Sequence, residues 1–284
     1  MKPDGQTQLL PPQVARLLGW SVVFTLLVIV CFTFPLMPSY ELDPSWRMAL
    51  GYFFEEGMQF GSDVVFTYGP LGFIMGKTFS GLQFWSLIAG QLTLAVISAV
   101  VILRQGLRIK KGTTQLVFFL SIILFGITYE DALHMLVIGI LGFELLRLKD
   151  SPRYPYIVLI GAVLALYSQI KFTDLLLASY IILLVTAYGL WGKKWRAVAF
   201  LCGSYLIAYL GIWIGSGQNV LNLPAYLRGS WEISQGYQWA MGSPSPEIPL
   251  LMGLTVLGIL IVYAIAHVLL HSNKPRAVAN TLLL

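Results

Sequence analysis

The chain has 284 residues, of which 57% are hydrophobic and 11% are charged. Soluble domains carry roughly 25% charged residues, so this composition excludes an ordinary soluble protein and predicts a multi-pass membrane protein. The formal net charge of +5 does not indicate a nucleic-acid partner, because in a membrane protein the positions of the charges carry the information. Cys31 and Cys202 both lie within apolar runs, which predicts buried thiols and no disulfide framework.

Apolar runs recur along the sequence and predict eight transmembrane helices in an all-α protein with a single transmembrane domain, residues 1–284. The first run has neither the short apolar core nor the cleavage site of a signal peptide, so we expect it to be retained. A further apolar run begins at Ala277 and stops at Leu284, which suggests a chain truncated there or one that ends in a short interfacial segment. The expected spans are 17–36, 82–103, 115–128, 132–146, 156–169, 175–191, 197–214 and 250–270.

Basic residues are distributed unevenly between the loops of this arrangement. The loops on the amino-terminal side hold all but four of the 18 Lys and Arg residues, whereas acidic residues concentrate on the opposite side. Because Lys and Arg accumulate in cytoplasmic loops, we expect a cytoplasmic amino terminus. Two long periplasmic loops, 37–81 and 215–249, are then expected to form the functional site. The four Lys and Arg residues on the periplasmic side are Arg47, Lys77, Lys171 and Arg228.

The first of these loops contains a predicted amphipathic helix. Asp43 followed by Pro44 is a helix-start signal, and Gly57 is a suitable stop. A helix of about 13 residues is roughly 20 Å long and too short to cross a bilayer, so it should lie along the periplasmic membrane surface with its aromatic face toward the lipid. That face consists of Trp46, Ala49, Leu50, Phe53 and Phe54.

Metal binding and transport find little support in the sequence. His134, His267 and His271 have no metal-ligand spacing, so we expect neither a metal nor another cofactor, although Glu130 and Asp131 could bind a divalent cation. The sequence shows no internal repeat, and its spans lack ionisable residues near their centres. Both features argue against an ion pathway or an inverted-repeat transporter.

Several short motifs on the periplasmic side form a pattern. Asp43 opens the first loop, Gly57 ends a helix 14 residues later, and an aromatic-Pro-Leu turn, Phe66–Leu71, precedes the second span. The turn Tyr129–Asp131 leads into the fourth span, and Lys171–Thr173 precedes the sixth. This arrangement resembles the GT-C superfamily of multi-pass glycosyltransferases, which use polyprenyl-phosphate-linked sugars on the outer face. The resemblance covers the first 215 residues in topology.

The resemblance implies an inverting, metal-independent glycosyltransferase that moves a sugar from a polyprenyl-phosphate donor to an acceptor on the periplasmic side. Such a reaction needs a base for the acceptor hydroxyl and a cation for the departing phosphate. Asp43 is the expected base, and Asp63 is a second candidate catalytic carboxylate. The expected substrate-binding residues are Tyr68, Glu130, Asp131, Lys171 and Arg228.

Each candidate also has a purely structural interpretation. Asp43 could serve only as a helix cap, Asp63 could be a solvated loop residue, and the acidic pair Glu130 and Asp131 could cap the fourth span. Opposite charges one helical turn apart could pair with each other instead of binding substrate. The pairs in question are Lys171 with Asp174, Arg228 with Glu232, and His134 with Asp131.

The competing functional class is a non-catalytic polytopic membrane protein, either a transporter or a scaffold for envelope assembly. The nearly apolar spans argue against a transporter, whereas a scaffold stays open. Expected partners are the lipid bilayer and a polyprenyl-phosphate-linked sugar, and not nucleic acid. The sequence leaves open the sugar, the acceptor, the lipid and the oligomeric state.

Overall fold

A computed structural model describes residues 11–39, 42–78, 81, 83–128, 130–147, 153–241, 251 and 255. Within these residues the backbone forms nine α-helices and two short 3-10 helices, and no β-strand, which confirms the all-α prediction. The 3-10 helices are Gly72–Met75 and Val220–Asn222. The α-helices are α1 (Pro12–Cys31), α2 (Leu42–Glu55), α3 (Phe84–Gly106), α4 (Gly112–Thr128), α5 (Glu130–Arg147), α6 (Tyr154–Ser168), α7 (Phe172–Trp191), α8 (Trp195–Gly215) and α9 (Leu223–Met241).

Four of the described helices are long and apolar enough to cross a membrane. A helix needs about 20 apolar residues to cross the hydrocarbon core, and within the core it satisfies its own backbone hydrogen bonds. Two shorter helices, Gly112–Leu124 and Tyr154–Ser168, are also apolar. The expected span 250–270 lies outside the described residues except for Leu251 and Thr255. The span-length segments are Gln13–Cys31, Phe84–Gly106, Phe172–Trp191 and Trp195–Gly215.

The first predicted span is displaced in the structure. Helix α1 ends at Cys31, five residues before the expected limit at Leu36, and Phe32 is already extended. Pro35 cannot continue a helix, and the residue before a proline is driven toward extended backbone. Leu36 instead forms an isolated parallel bridge with Thr78. Hydropathy alone could not separate these apolar extended residues from the helix.

The chain divides into two compact units, one of Met1–Phe34 with Ile88–Leu133 and one of Pro35–Leu87 with His134–Leu284. In the first unit α1 packs on α4, where the rings of Trp20 and Phe119 lie 6.2 Å apart. The second unit contains α2 and the helices from α6 to α9, together with the predicted substrate-binding residues Tyr68, Lys171 and Arg228.

Helix α2 occupies the position predicted for the amphipathic helix, and it ends two residues before Gly57. Its aromatic side packs against protein. The ring of Phe54 lies 4.2 Å from that of Phe73, and Leu50 is buried. This side of the helix therefore stabilises the loop that follows, whereas its amphipathic pattern predicted contact with lipid.

Helix α9 lies within the late loop, 215–249, where the sequence analysis predicted no helix. Asn219 caps the preceding 3-10 helix by accepting a 3.0 Å hydrogen bond from the Leu221 amide. Pro224 stands at the second position of α9, where its missing N–H is not needed. Glycine, proline and aromatic residues in this stretch have low helix propensity, and tertiary packing overrides that preference.

Two glutamines join the loop after α2 to the segment before α9. The Gln218 side chain accepts a 2.8 Å hydrogen bond from the Phe60 amide and donates a 3.0 Å bond to the Met58 carbonyl. In the opposite direction, the Gln59 side chain donates to the Gly217 carbonyl at 2.9 Å and accepts from the Asn219 amide at 2.7 Å. These reciprocal bonds, which we call the glutamine clamp, bring the two long predicted loops into contact.

Gly61 allows this contact to be close. Its φ of +97° is a conformation that side-chain-bearing residues rarely adopt. A Cβ at this position would also lie 2.6 Å from the Tyr226 amide nitrogen, in the first turn of α9. A glycine is therefore required where the loop passes under α9.

Replacing Gln218 with alanine should destabilise the protein. The change leaves the buried Phe60 amide and the Met58 carbonyl without these partners, at a cost of about 1–3 kcal/mol. The thermal midpoint in detergent should fall by about 2–4 °C for each kcal/mol. Gln235→Ala, at an exposed position of α9, is the matched control and should leave the midpoint unchanged. Equal midpoints for the two variants would contradict a structural role for the clamp.

Candidate functional site

A short backbone pairing defines the centre of the candidate site. The segment after Phe66 runs beside the turn between α6 and α7, and Tyr68 and Lys171 form an antiparallel bridge. The Phe172 amide donates to the Thr67 carbonyl at 2.8 Å, and the Gly69 amide donates to the Ile170 carbonyl at 3.0 Å. This pairing places the predicted substrate-binding residues Tyr68 and Lys171 opposite each other.

Gly69 is where the two segments approach most closely. A Cβ on Gly69 would collide with the carbonyl oxygen of Gln169 and would lie 3.2 Å from the Tyr226 hydroxyl. The Leu71 amide donates to that same carbonyl at 3.1 Å. Any larger residue at position 69 would push the loop away from the turn and separate Tyr68 from Lys171.

Aromatic rings surround this bridge, and two cations lie over their faces. The Tyr68 ring stacks on Phe66 at 5.6 Å and lies 5.2 Å from the ring of Trp46 on α2. The Lys171 ammonium lies over Tyr68, 5.2 Å from the ring centroid, and the Arg47 guanidinium lies over Trp46 at the same distance. We call these five residues the aromatic–cation cluster.

Arg47 was not predicted as a site residue. Its Nε atom is buried and has no hydrogen-bond partner among the residues that the structure describes. Buried guanidinium nitrogens are normally hydrogen-bonded, so an unpartnered one is a donor suited to an anion. The sequence contained one signal for this role, because Arg47 is one of only four basic residues on the predicted periplasmic side.

The carboxylate predicted as the base lies close to this cluster in the chain. Asp43 is the second residue of α2, one helical turn before Trp46 and Arg47. Its side chain is outside the described part of the structure, as are those of Glu130 and Asp131 at the start of α5. For these three residues the structure gives the helical position only.

Asp63 has a structural role in its own turn. Its carboxylate accepts hydrogen bonds from the Gln59 amide at 2.9 Å and from the Ser62 hydroxyl at 3.2 Å. The side chain is exposed. The geometry thus favours the alternative given above, a solvated loop carboxylate that stabilises a turn.

Arg228 pairs with Glu232, as in the structural alternative given above. Its side chain is 81% exposed and donates a 2.8 Å hydrogen bond from Nε to Glu232, one turn later on α9. The hydrogen bond and the charge of Glu232 raise the pKa of Arg228, so the guanidinium remains charged. It faces solvent and is not one of the cations of the aromatic–cation cluster.

His134 lies beside a buried carboxylate of another helix. Its Nδ1 lies 3.5 Å from Asp174 Oδ2, and its ring packs edge-on against Tyr167 at 4.9 Å. Asp174 is only 2% exposed and stands in the first turn of α7, where the helix dipole favours a negative charge. The predicted pairing of His134 with Asp131 stays a prediction, because the Asp131 side chain lies outside the described part of the structure.

Below Gly69 lies a group of buried polar side chains. Burial raises the pKa of the Tyr226 phenol more than its interaction with the Ser230 hydroxyl lowers it, and the charge of Asp174 adds to the rise, so the hydroxyl stays protonated at neutral pH. The sequence gives no signal for this group because its members are scattered along the chain. The buried atoms without a hydrogen-bond partner in the described residues include His134 Nδ1, Gln169 Oε1, Asp174 Oδ2 and Tyr209 Oη.

Removing the Tyr209 hydroxyl should stabilise the protein. An unpartnered buried hydroxyl carries a desolvation penalty of about 1–3 kcal/mol, which Tyr209→Phe removes. Tyr205→Phe, one turn earlier on α8, is the matched control, because the Tyr205 hydroxyl is 3.0 Å from the Ser168 hydroxyl and its loss should cost about 1 kcal/mol. Thermal unfolding in detergent should therefore shift in opposite directions for the two variants. A fall of equal size in both would show that Tyr209 has a partner.

The structure brings Tyr68 and Lys171 together with Trp46 and Arg47, and it leaves Asp63 and Arg228 at separate exposed positions. Among the residues described, no group of three or more His, Cys, Asp or Glu side chains could hold a metal ion. No protein-family model, curated protein or solved structure matches the chain.

Proposed function

We propose that the protein is a membrane glycosyltransferase of the GT-C kind. It transfers a sugar from a polyprenyl-phosphate donor to an acceptor hydroxyl on the periplasmic face of a bacterial inner membrane. The observation that carries the proposal is the aromatic–cation cluster. It combines two cations and several aromatic ring faces in one place, one helical turn from Asp43.

The proposal includes eight membrane spans with a cytoplasmic amino terminus. The four span-length helices and the two shorter apolar helices support it. In this topology α2, the turn between α6 and α7, and the start of α9 all belong to the periplasmic side. The loop after α2 is hydrogen-bonded to both the turn and α9, and Trp46 on α2 packs against Tyr68 in that loop, which agrees with a shared side.

Lys171 and Arg47 hold the donor phosphate in this proposal. Cations bind phosphate oxygens through charge-assisted hydrogen bonds, and they offset the charge that develops as the phosphate departs. An aromatic face holds a cation by about 0.5–2 kcal/mol without using its hydrogen-bond donors. The positions over Tyr68 and Trp46 therefore orient both cations, and the unpartnered Nε of Arg47 is a donor for the anion.

Asp43 acts as the general base. It takes the proton of the acceptor hydroxyl as that oxygen attacks the anomeric carbon, and the bond from the anomeric carbon to the phosphate oxygen breaks with its electron pair leaving on the phosphate. Attack opposite the leaving group inverts the anomeric configuration. Glu130 and Asp131, at the start of α5, bind a sugar hydroxyl or a divalent cation.

Asp43→Asn should abolish transfer while leaving donor binding intact, because asparagine keeps the shape of the side chain and cannot accept the proton. General base catalysis contributes about 10²–10⁴-fold to such rates. The measurement is sugar transfer in proteoliposomes from a panel of polyprenyl-phosphate-linked hexoses, with Asp63→Asn as the control that should retain activity. Transfer at the parental rate by Asp43→Asn would remove this residue from the base role.

Lys171→Met and Arg47→Met should each weaken binding of polyprenyl phosphate. A hydrogen bond from a charged group contributes about 1.5–3 kcal/mol, which corresponds to roughly 10- to 100-fold in Kd. Arg228→Met is the matched control, because it removes a cation that faces solvent and pairs with Glu232, and it should leave Kd unchanged. Binding can be measured with the purified protein in nanodiscs. A weakening confined to Arg228→Met would place the phosphate on α9 instead.

A further inference from the structure

Helix α9 has three distinct faces. One is buried and contains Tyr226 and Ser230, which are one turn apart. A second is exposed and apolar, with Leu227 at 38% and Trp231 at 52% exposure, again one turn apart. The third is exposed and charged and contains the Arg228–Glu232 pair. The apolar face is thus a stripe between a protein-covered face and a charged one.

The orientation of α9 about its own axis is fixed by the loop it covers. The Ser230 hydroxyl donates a 2.8 Å hydrogen bond to the Phe66 carbonyl. The Tyr226 ring packs edge-on against Phe60 at 6.3 Å. Because these contacts hold the buried face, the apolar stripe cannot turn inward.

The start of α9 is also attached to the end of a span-length helix. Trp213, in the last turn of α8, is fully buried, and its ring lies 5.3 Å from that of Tyr226. Its indole N–H donates a 3.0 Å hydrogen bond to the Asn219 carbonyl, just before α9. The first turns of α9 therefore lie at the level where α8 ends.

The apolar stripe continues into the segment that joins the two helices. Leu221, in the 3-10 helix before α9, is 83% exposed, and Val220 beside it is also exposed. At the other end of this segment, Ile214 in the last turn of α8 is exposed as well. Exposed apolar side chains thus run from a span-length helix onto α9 without interruption by a charged residue.

We propose that α9 lies in the plane of the membrane interface and binds the lipid bilayer through Leu221, Leu227 and Trp231. The stripe contacts the boundary between lipid headgroups and acyl chains, because it continues the exposed apolar surface at the end of α8. Tryptophan is enriched at this depth, and helices with one apolar and one charged face lie flat there. Arg228 and Glu232 then face the headgroups and water.

This inference does not rest on glycosyl transfer. It concerns how deeply the second unit sits in the bilayer, and it would apply equally to a non-catalytic protein. If α9 lies at the interface, the loop from Phe60 to Phe66 that is bonded to it lies at headgroup depth, where a lipid phosphate is found.

The test uses single cysteines in the full chain. Cys31 and Cys202 are first replaced by serine, and one cysteine is then introduced as Leu227→Cys, Trp231→Cys, Arg228→Cys or Glu232→Cys. Each variant is labelled with a small fluorophore and reconstituted into vesicles of phosphatidylcholine and phosphatidylglycerol. Quenching by lipids with a doxyl group near the headgroup is compared with quenching by aqueous iodide. Only variants that match the thermal midpoint of the parent are compared.

Labels at positions 227 and 231, on the apolar stripe, should be quenched several-fold more by the doxyl lipid than labels at 228 and 232, on the charged face, with the opposite order for iodide. Equal access to iodide at all four positions would overturn the proposal, since the stripe would then face water. Protection of 227 and 231 from both quenchers would also overturn it, because protein, such as a second copy of the chain, would cover the stripe. Each outcome is read without any transfer assay.

Discussion

The candidate site depends on the backbone pairing between the segment around Tyr68 and the turn around Lys171. Three amide-to-carbonyl bonds hold the two segments in register, and Gly69 permits the approach because a side chain there would strike the Gln169 carbonyl. The register decides which side chains meet. In this register the Tyr68 ring faces the Lys171 ammonium, although the two residues are distant in the chain. Helix α2 contributes Trp46 and Arg47 beside them.

The sequence predicted the helices well wherever an apolar run was bounded by turn residues. From α2 to α8 each predicted segment corresponds to a helix whose ends differ by a few residues, because burial from water and internal hydrogen bonding act together on such runs. The failures have definite causes. Pro35 ends α1 earlier than hydropathy implied, and α9 forms because the glutamine clamp and the packing of Tyr226 on Trp213 stabilise it.

The site was predictable only in part. Tyr68 and Lys171 could be chosen because they stand beside turn signals on one predicted side, and the structure brings them together. Arg47 was overlooked because a cation on the polar side of an amphipathic helix is normally solvated, and only its position over Trp46 distinguishes it. His134 shows a general limit. Spacing within a helix can name only a local neighbour of His134, Asp131, and gives no signal for Asp174, which lies 40 positions away in the chain and 3.5 Å from His134 in the fold.

The buried polar group below Gly69 shows how stability and function can oppose each other here. A core designed for stability alone would leave no phenol and no amide oxygen without partners, because each carries a desolvation penalty. Phenylalanine at Tyr209 would fill nearly the same space without that penalty. The Gln169 side chain donates to the Tyr209 carbonyl, and the Gln169 backbone carbonyl lies against Gly69, which aligns Tyr68 with Lys171. Hydrogen-bonding capacity that the described residues do not use is thus concentrated beneath the one segment on which the aromatic–cation cluster depends.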